Sequence, residues 1–154
     1  MKCRFCQHEL SLDLVDLNYS PPSNSFLVSA QLGEPEVTFP LKVPVCDRCW
    51  LGQIDEHRHA EDIFSSDYVY FSSYSSSWLA HAKDYVRGIS SRLKLGGDAF
   101  VVEVASNDGY LLQYVQQAGI PCYGIEPTAS SAKAARALGL AVIERFFGVA
   151  LADE

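Results

Sequence analysis

The chain has 154 residues, 48% of them hydrophobic and 20% charged, with a formal net charge of -7 and an isoelectric point near 5.0. That balance reads as globular rather than disordered, and an acidic chain without a Lys/Arg cluster argues against a nucleic-acid partner. No apolar run approaches the roughly 18–20 residues of a membrane span, and Met1-Lys2-Cys3-Arg4 lacks the apolar core of a secretory leader. We therefore expect no membrane partner and a cytoplasmic protein whose thiols stay reduced.

The first elements are two knuckles, Cys3-x-x-Cys6 and Cys46-x-x-Cys49, with residues 7–45 between them. A C-x-x-C turn sets two thiolates on one side of a tight loop, and two such turns complete a tetrahedral four-sulfur site of the zinc type. The gap exceeds the roughly 15–20 residues of a common zinc ribbon, so the insert must carry its own structure. Ser11–Leu17 reads as a short strand and Pro21-Pro22-Ser23-Asn24-Ser25 as a loop. Val37, Phe39, Leu41, Val43 and Val45 then alternate as a half-buried strand leading into the second knuckle, against which Trp50–Ile54 turns back. A disulfide pair or unrelated core cysteines are the competing readings. Four cysteines fill a zinc site and make it structural, with no position left for water or substrate. His8, His57 and His59 are alternate ligands or plain surface histidines, and Cys122 fits an ordinary strand thiol.

Residues 55–66 are a polar connector and mark the boundary between two domains. The following stretch, 67–78, holds Tyr68, Tyr70 and Tyr74 among serines, with Phe71 and Trp78. Aromatics seek burial, so this is no flexible linker. A helix follows from Ser77 to Leu93, its stripe being Trp78, Ala82, Tyr85, Val86, Ile89 and Leu93, and Gly96-Gly97 are expected to stop it. Thereafter the pattern alternates: strand 99–105, helix 109–118, strand 121–126, helix 129–138 and a short strand 141–143, with Gly119 and Gly139 closing the helices. Right-handed units of this kind give a parallel sheet.

The turn after the first of these strands carries the chemistry. Val101–Val104, apolar but for Glu103, reads as a strand of the type buried on both faces. It meets the polar turn Ser106-Asn107-Asp108-Gly109, placing backbone N–H groups and a helix start at the carboxyl edge of the sheet, where α/β proteins bind nucleotides. A dinucleotide fingerprint would need G-x-G-x-x-G and a P-loop a GK[ST] ending. The chain instead offers Ala105, Asn107 and Gly109 at alternate positions, with Glu103 on the strand. The next apolar run ends in Glu126-Pro127, a carboxylate placed to accept hydrogen bonds from both hydroxyls of a ribose.

E-x-x-S-N-D-G-Y-L-L over residues 103–112, followed by G-I-E-P over 124–127, resembles the cofactor-binding half of class I S-adenosylmethionine (SAM) methyltransferases. Together with the cysteine knuckles it is similar, more narrowly, to the branch with an N-terminal zinc module that methylates carbon in nucleotide-linked deoxysugars. The resemblance covers nearly the whole chain. It implies residues 1–64 as a zinc-binding module held by Cys3, Cys6, Cys46 and Cys49, and 65–154 as the N-terminal part of a Rossmann-like SAM-binding domain, an α/β fold left incomplete. It implies a cofactor site of Glu103, Ala105, Ser106, Asn107, Asp108, Gly109, Glu126 and Pro127, and a small-molecule substrate, a nucleotide sugar. Ala105 departs from the family, which usually has glycine there. The aromatic stretch is either an anchor docking the helix on the sheet or a lid over the cofactor, and the resemblance favours the lid. Tyr70 is then the candidate to approach substrate, with Tyr68 in reserve. The family's histidine and tyrosine groups for proton abstraction lie in a segment this chain lacks, and no histidine here, His81 included, matches them. The catalytic base is therefore unknown, and the expected protein is an N-terminal fragment without turnover of its own. Two other classes compete: a zinc-based binding module with an inactive α/β remnant, and a fragment of an NAD enzyme, which Glu126 alone permits and the missing glycine fingerprint opposes.

Overall fold

The computed structural model describes residues 1–65 and 68–154. Ser66 and Asp67, where the expected connector meets the aromatic stretch, lie outside the described residues. Two compact units divide the chain, Met1–Ile63 and Phe64–Glu154.

In the first unit β1 (Leu12–Ser20) pairs antiparallel with β2 (Phe39–Val45), Leu12 opposite Val45 and Ser20 opposite Phe39. The strand expected over Ser11–Leu17 runs on to Ser20 because Asp16 and Asn18 do not stop it. Asn18, at φ 61, donates its amide to Asp16 Oδ1 at 2.9 Å, and the register slips between Asp16 and Tyr19 before pairing resumes. A polar pair that looks like a strand end is a bulge inside the ladder. Val37 lies ahead of β2, so the alternation starts at Phe39, not at Val37. A single bridge between Val45 and Gly52 returns the chain against β2. The connector is not featureless: it forms one helical turn, α1 (Ala60–Ile63).

In the second unit the order is α2 (Ser76–Leu93), β3 (Val101–Val104), α3 (Leu112–Gln117), β4 (Cys122–Ile125), α4 (Ala129–Ala137), β5 (Val142–Ile143) and α5 (Val149–Ala152). The strands form a parallel sheet in the order β3-β4-β5, with Val101 beside Cys122 and Gly124 beside Val142. The expected β-α-β-α-β succession is therefore present, with shorter elements. Ser75 caps α2, its hydroxyl accepting from the Trp78 amide at 3.2 Å. Gly96-Gly97 do not end that helix. Lys94 does, in the left-handed conformation at φ 55, while the Leu95 amide reaches back to the Ser90 carbonyl at 2.9 Å. The Leu95 side chain packs on the core and holds that turn in place. Gly119 and Gly139, at φ 72 and 82, end α3 and α4 as glycines can without strain.

One apolar cluster holds this unit: Val86 of α2, Leu112 and Val115 of α3, Ile120, Ala135 of α4, and Leu140. Val101, Cys122 and Val142 present one face of the sheet to it. Fully burying side chains of this size stabilises by about 1.5–3 kcal/mol each. Of the expected α2 stripe only Ala82 and Val86 are buried, and Trp78, Tyr85 and Leu93 remain exposed. The expectation that β3 is buried on both faces fails. Val102 and Val104, which point away from the cluster, are 43% and 48% exposed, because α2, α3 and α4 all pack their core residues on the opposite face.

Candidate functional site

The first unit builds its site from two copies of one turn. The Gln7 amide donates to the Cys3 carbonyl at 2.9 Å, and the Trp50 amide to the Cys46 carbonyl at 2.9 Å. Gln7 and Trp50 share the left-handed conformation, φ 62 and 63. Each turn is closed by a second bond, from Cys3 N to His8 O at 2.8 Å and from Cys46 N to Leu51 O at 3.1 Å. The matched backbones aim four sulfurs at one point. Cys3 and Cys49 lie 3.6 Å apart, Cys6 and Cys46 3.5 Å apart, and all four Sγ atoms fall within 4.8 Å of one another. A tetrahedron with metal–sulfur distances of about 2.3 Å has edges of about 3.8 Å. Such a set fits zinc. The cysteines are free thiols, so the disulfide alternative is not realised.

Local charge agrees with that donor set. The Cys6 amide holds the Cys3 thiol down to about 6 against burial. At Cys49 the Leu51 amide also lowers the value, but burial and the other three sulfurs outweigh it and push the thiol up to about 12. Crowded sulfurs cannot all ionise without a cation among them. His8 is engaged elsewhere, with Nε2 3.0 Å from Asp47 Oδ1, and His57 stacks on Phe39. Neither joins the sulfurs, nor does His59, which sits 3.9 Å from Glu56. Around the knuckles, Gln53 accepts from the Arg4 amide at 3.0 Å and ties one turn to the segment after the other.

The second unit builds its site where β3 ends. Ala105, Asn107 and Gly109 all take positive φ, 59, 49 and 79. Three left-handed residues at alternate positions fold the chain into a concave turn in which successive amides face one way, an arrangement that receives anions. Gly109 is required there. A Cβ would collide with the Leu140 side chain. Ala105 and Asn107 hold the same conformation with side chains, at a cost of about 1–2 kcal/mol for alanine. The expected family glycine is thus replaced by a residue that still adopts the glycine conformation.

Glu126 and the aromatic stretch fix this loop. The Asn107 amide donates to Glu126 Oε2 at 2.9 Å and the Thr128 amide to Oε1 at 2.8 Å. Glu126 is buried, and each of its oxygens holds one backbone amide and keeps a second lone pair. On the other side Asn107 Oδ1 accepts from Ser72 N at 2.9 Å, and its Nδ2 donates to the Tyr70 carbonyl at 3.1 Å. Asp108 Oδ2 accepts from Ser73 N at 3.1 Å. Ser130 Oγ donates to the Tyr68 carbonyl at 3.2 Å. The aromatic stretch is therefore clamped to the loop and to α4 through its backbone, leaving the Tyr70 ring half exposed. Pro127 lies in the turn between Glu126 and Thr128.

Several polar atoms here are buried without a partner: Glu103 Oε2, Ser106 Oγ, Asp108 Oδ1, Thr128 Oγ1 and Ser131 Oγ. All belong to β3, its loop or the start of α4. Burial pushes the Glu103 carboxyl up to about 7, with the Asp108 charge adding to it and the Leu112 amide opposing. The Tyr110 hydroxyl is raised by burial and by Glu103. Thr128, Ser131 and the backbone clamps from Ser72 and Ser73 were not expected from the sequence. Small hydroxyl residues before and within an alanine-rich helix give no signal of where they point.

Comparison with known proteins matches residues 3–64 to the family model Methyltransf_13, described as "Putative zinc binding domain". The chain is also similar to C-methyltransferase NovU of Streptomyces niveus, 31% identical over 153 residues. That alignment covers 99% of this chain and 36% of NovU, so the chain spans about a third of the relative's length. The family-model match falls almost wholly in the first unit, and the likeness to NovU extends across both.

Proposed function

We propose that the chain is the zinc-bearing, cofactor-binding part of a SAM-dependent C-methyltransferase, and that its acceptor is a nucleotide-linked deoxysugar. The observation that carries the cofactor is the left-handed alternation of Ala105, Asn107 and Gly109 beside the unpartnered, buried Asp108 Oδ1. The amino-acid end of SAM carries one anion and one cation. The amides of residues 106–109 suit its carboxylate and Asp108 its ammonium, while the free lone pairs of Glu126 suit ribose hydroxyls. Glu103 and Ala105 support the loop from the strand side, and Pro127 fixes the turn that follows Glu126.

Bound SAM would supply an electrophilic methyl group; for a carbon acceptor, a base must also remove a proton next to a carbonyl. This chain's own part is to hold and orient, which lowers the barrier by alignment. Its acidic balance suits a cationic ligand. Tyr70, held by its carbonyl beside the loop with its ring outward, is the candidate to touch the acceptor. No residue here is assigned as the base. Cys3, Cys6, Cys46 and Cys49 hold zinc in a closed structural role, in a reducing cytoplasm that keeps thiols free.

Calorimetric titration of S-adenosylhomocysteine into zinc-loaded protein, with NAD as control, tests the cofactor assignment. Selective binding that weakens at least tenfold in Glu126→Ala supports it, and preference for NAD overturns it. Methyl transfer to a keto-sugar nucleotide by this chain alone would overturn the view that the base lies elsewhere.

A further inference from the structure

Gln53 is a buried polar side chain of the first unit, 8% exposed. Its backbone amide donates to the Pro44 carbonyl of β2 at 3.1 Å, which sets it beside the strand that delivers Cys46. Its Oε1 accepts from the Arg4 amide, inside the first knuckle. That bond fixes which end of the side-chain amide faces which way, because a backbone N–H can meet only the oxygen. The nitrogen end must face elsewhere, and Nε2 is buried with no well-formed hydrogen bond among the described residues. A buried donor without an acceptor is costly, and native structures seldom keep one without a reason.

The reason lies at Cys3. That sulfur is fully buried, and its thiol is held down by the Cys6 amide first and, against burial, by a hydrogen bond from the Gln53 side chain. Only the nitrogen end of an amide can favour a thiolate in this way, so Nε2 is the end turned toward the sulfur. A neutral thiol is a weak acceptor, whereas a thiolate carries the charge that shortens and strengthens a hydrogen bond. The four sulfurs become thiolates when a metal sits among them. We propose that Gln53 is a positioning residue of the metal centre: with metal bound, its Nε2 donates to the Cys3 thiolate, draws charge from that sulfur and locks the first knuckle onto the segment that follows the second. The orphaned donor then has its acceptor. Partners of this kind, outside the ligands themselves, orient the ligands and tune the metal.

The proposal rests on the zinc reading of the four cysteines, and the test separates the two. The full chain is loaded with cobalt(II) in competition with a chelator, and the sulfur-to-metal charge-transfer band reports the charge on the thiolates. Wild-type protein should show a tetrahedral four-sulfur spectrum; its absence would remove the zinc reading and this proposal with it. Gln53→Leu keeps the bulk and loses the donor. Gln53→Glu keeps an oxygen for the Arg4 amide and replaces Nε2 by a second oxygen. Both should hold cobalt about 10–100-fold less tightly and move the charge-transfer band to lower energy, with the tetrahedral d–d bands in place. Weaker binding with an unmoved band would make Gln53 a packing residue and overturn the proposal, as would variants that match the wild type. A second measurement needs no variant. In wild-type protein loaded with an NMR-active cadmium isotope, a Gln53 side-chain amide proton should show scalar coupling to the metal through the sulfur. Absence of that coupling overturns the proposal even where a variant fails to fold.

Discussion

The two units solve the problem of a core in different ways. Among the described residues of Met1–Ile63, the buried hydrophobic positions are Cys3 and Cys46, while Leu14, Leu17, Phe26 and Leu32 are exposed. In Phe64–Glu154, Leu112 is fully buried within a continuous apolar cluster drawn from three helices and the sheet. One unit is organised by four sulfurs about a point, the other by apolar area. Small units that cannot bury enough surface are commonly held by a metal. The contrast teaches that a perturbation of one currency should leave the other unit intact.

The largest expected effect is metal removal. Structural zinc contributes roughly 10–16 kcal/mol in small zinc-built modules. A strong chelator, or Cys46→Ser, should therefore collapse amide protection throughout Met1–Ile63 and leave that of α2, α3 and the β3-β4-β5 sheet in place. Protection that persists in β1 and β2 without zinc would break the comparison. Leu112→Ala makes the reverse cut. It should cost about 2–5 kcal/mol in the second unit, read as a lowered denaturant midpoint, with zinc content unchanged.

Acid sharpens the contrast further. Glu103 is raised from 4.5 to about 7, so the folded unit holds its proton more tightly than the unfolded chain does. Its contribution is full below pH 4.5 and declines as pH rises through 7, by roughly 3 kcal/mol at most. Denaturation of the second unit between pH 5 and 7 should show this slope, and Glu103→Gln should flatten it; a slope unchanged in that variant would assign it to another group. The smallest effect belongs to Ala105→Gly. Relief of left-handed strain outweighs the added chain entropy by about 0.5–1 kcal/mol. A loss of stability instead would show that the methyl group packs usefully.

What could be read from the residues follows the same division. The paired C-x-x-C spacing encodes a local turn, so the sulfur cluster was legible before any fold was known. The succession of β3, α3, β4, α4 and β5 was legible from period and glycine punctuation, and Ala105, Asn107 and Gly109 stood out by their alternation. The clamps were not legible. Ser72 and Asn107 bond across 35 positions, and a backbone amide meeting a side-chain oxygen leaves no pattern in composition. The exposure of Val102 and Val104 was also hidden, since an apolar run looks the same whether one face or two are covered. Lys94 ending α2 ahead of Gly96 shows a local rule overridden by Leu95 reaching the core.

Asn107 ties its loop to two other stretches: its backbone amide donates to Glu126, while its side-chain oxygen accepts from the Ser72 amide and its side-chain amide donates to the Tyr70 carbonyl. A loop tied in this way has its ordering cost met when the unit folds, so a ligand arriving later need not freeze it. The heat-capacity change of titration should then reflect only the surface the ligand itself covers, with no added contribution from a segment folding around it. Association should likewise proceed in a single kinetic phase set by diffusion and orientation.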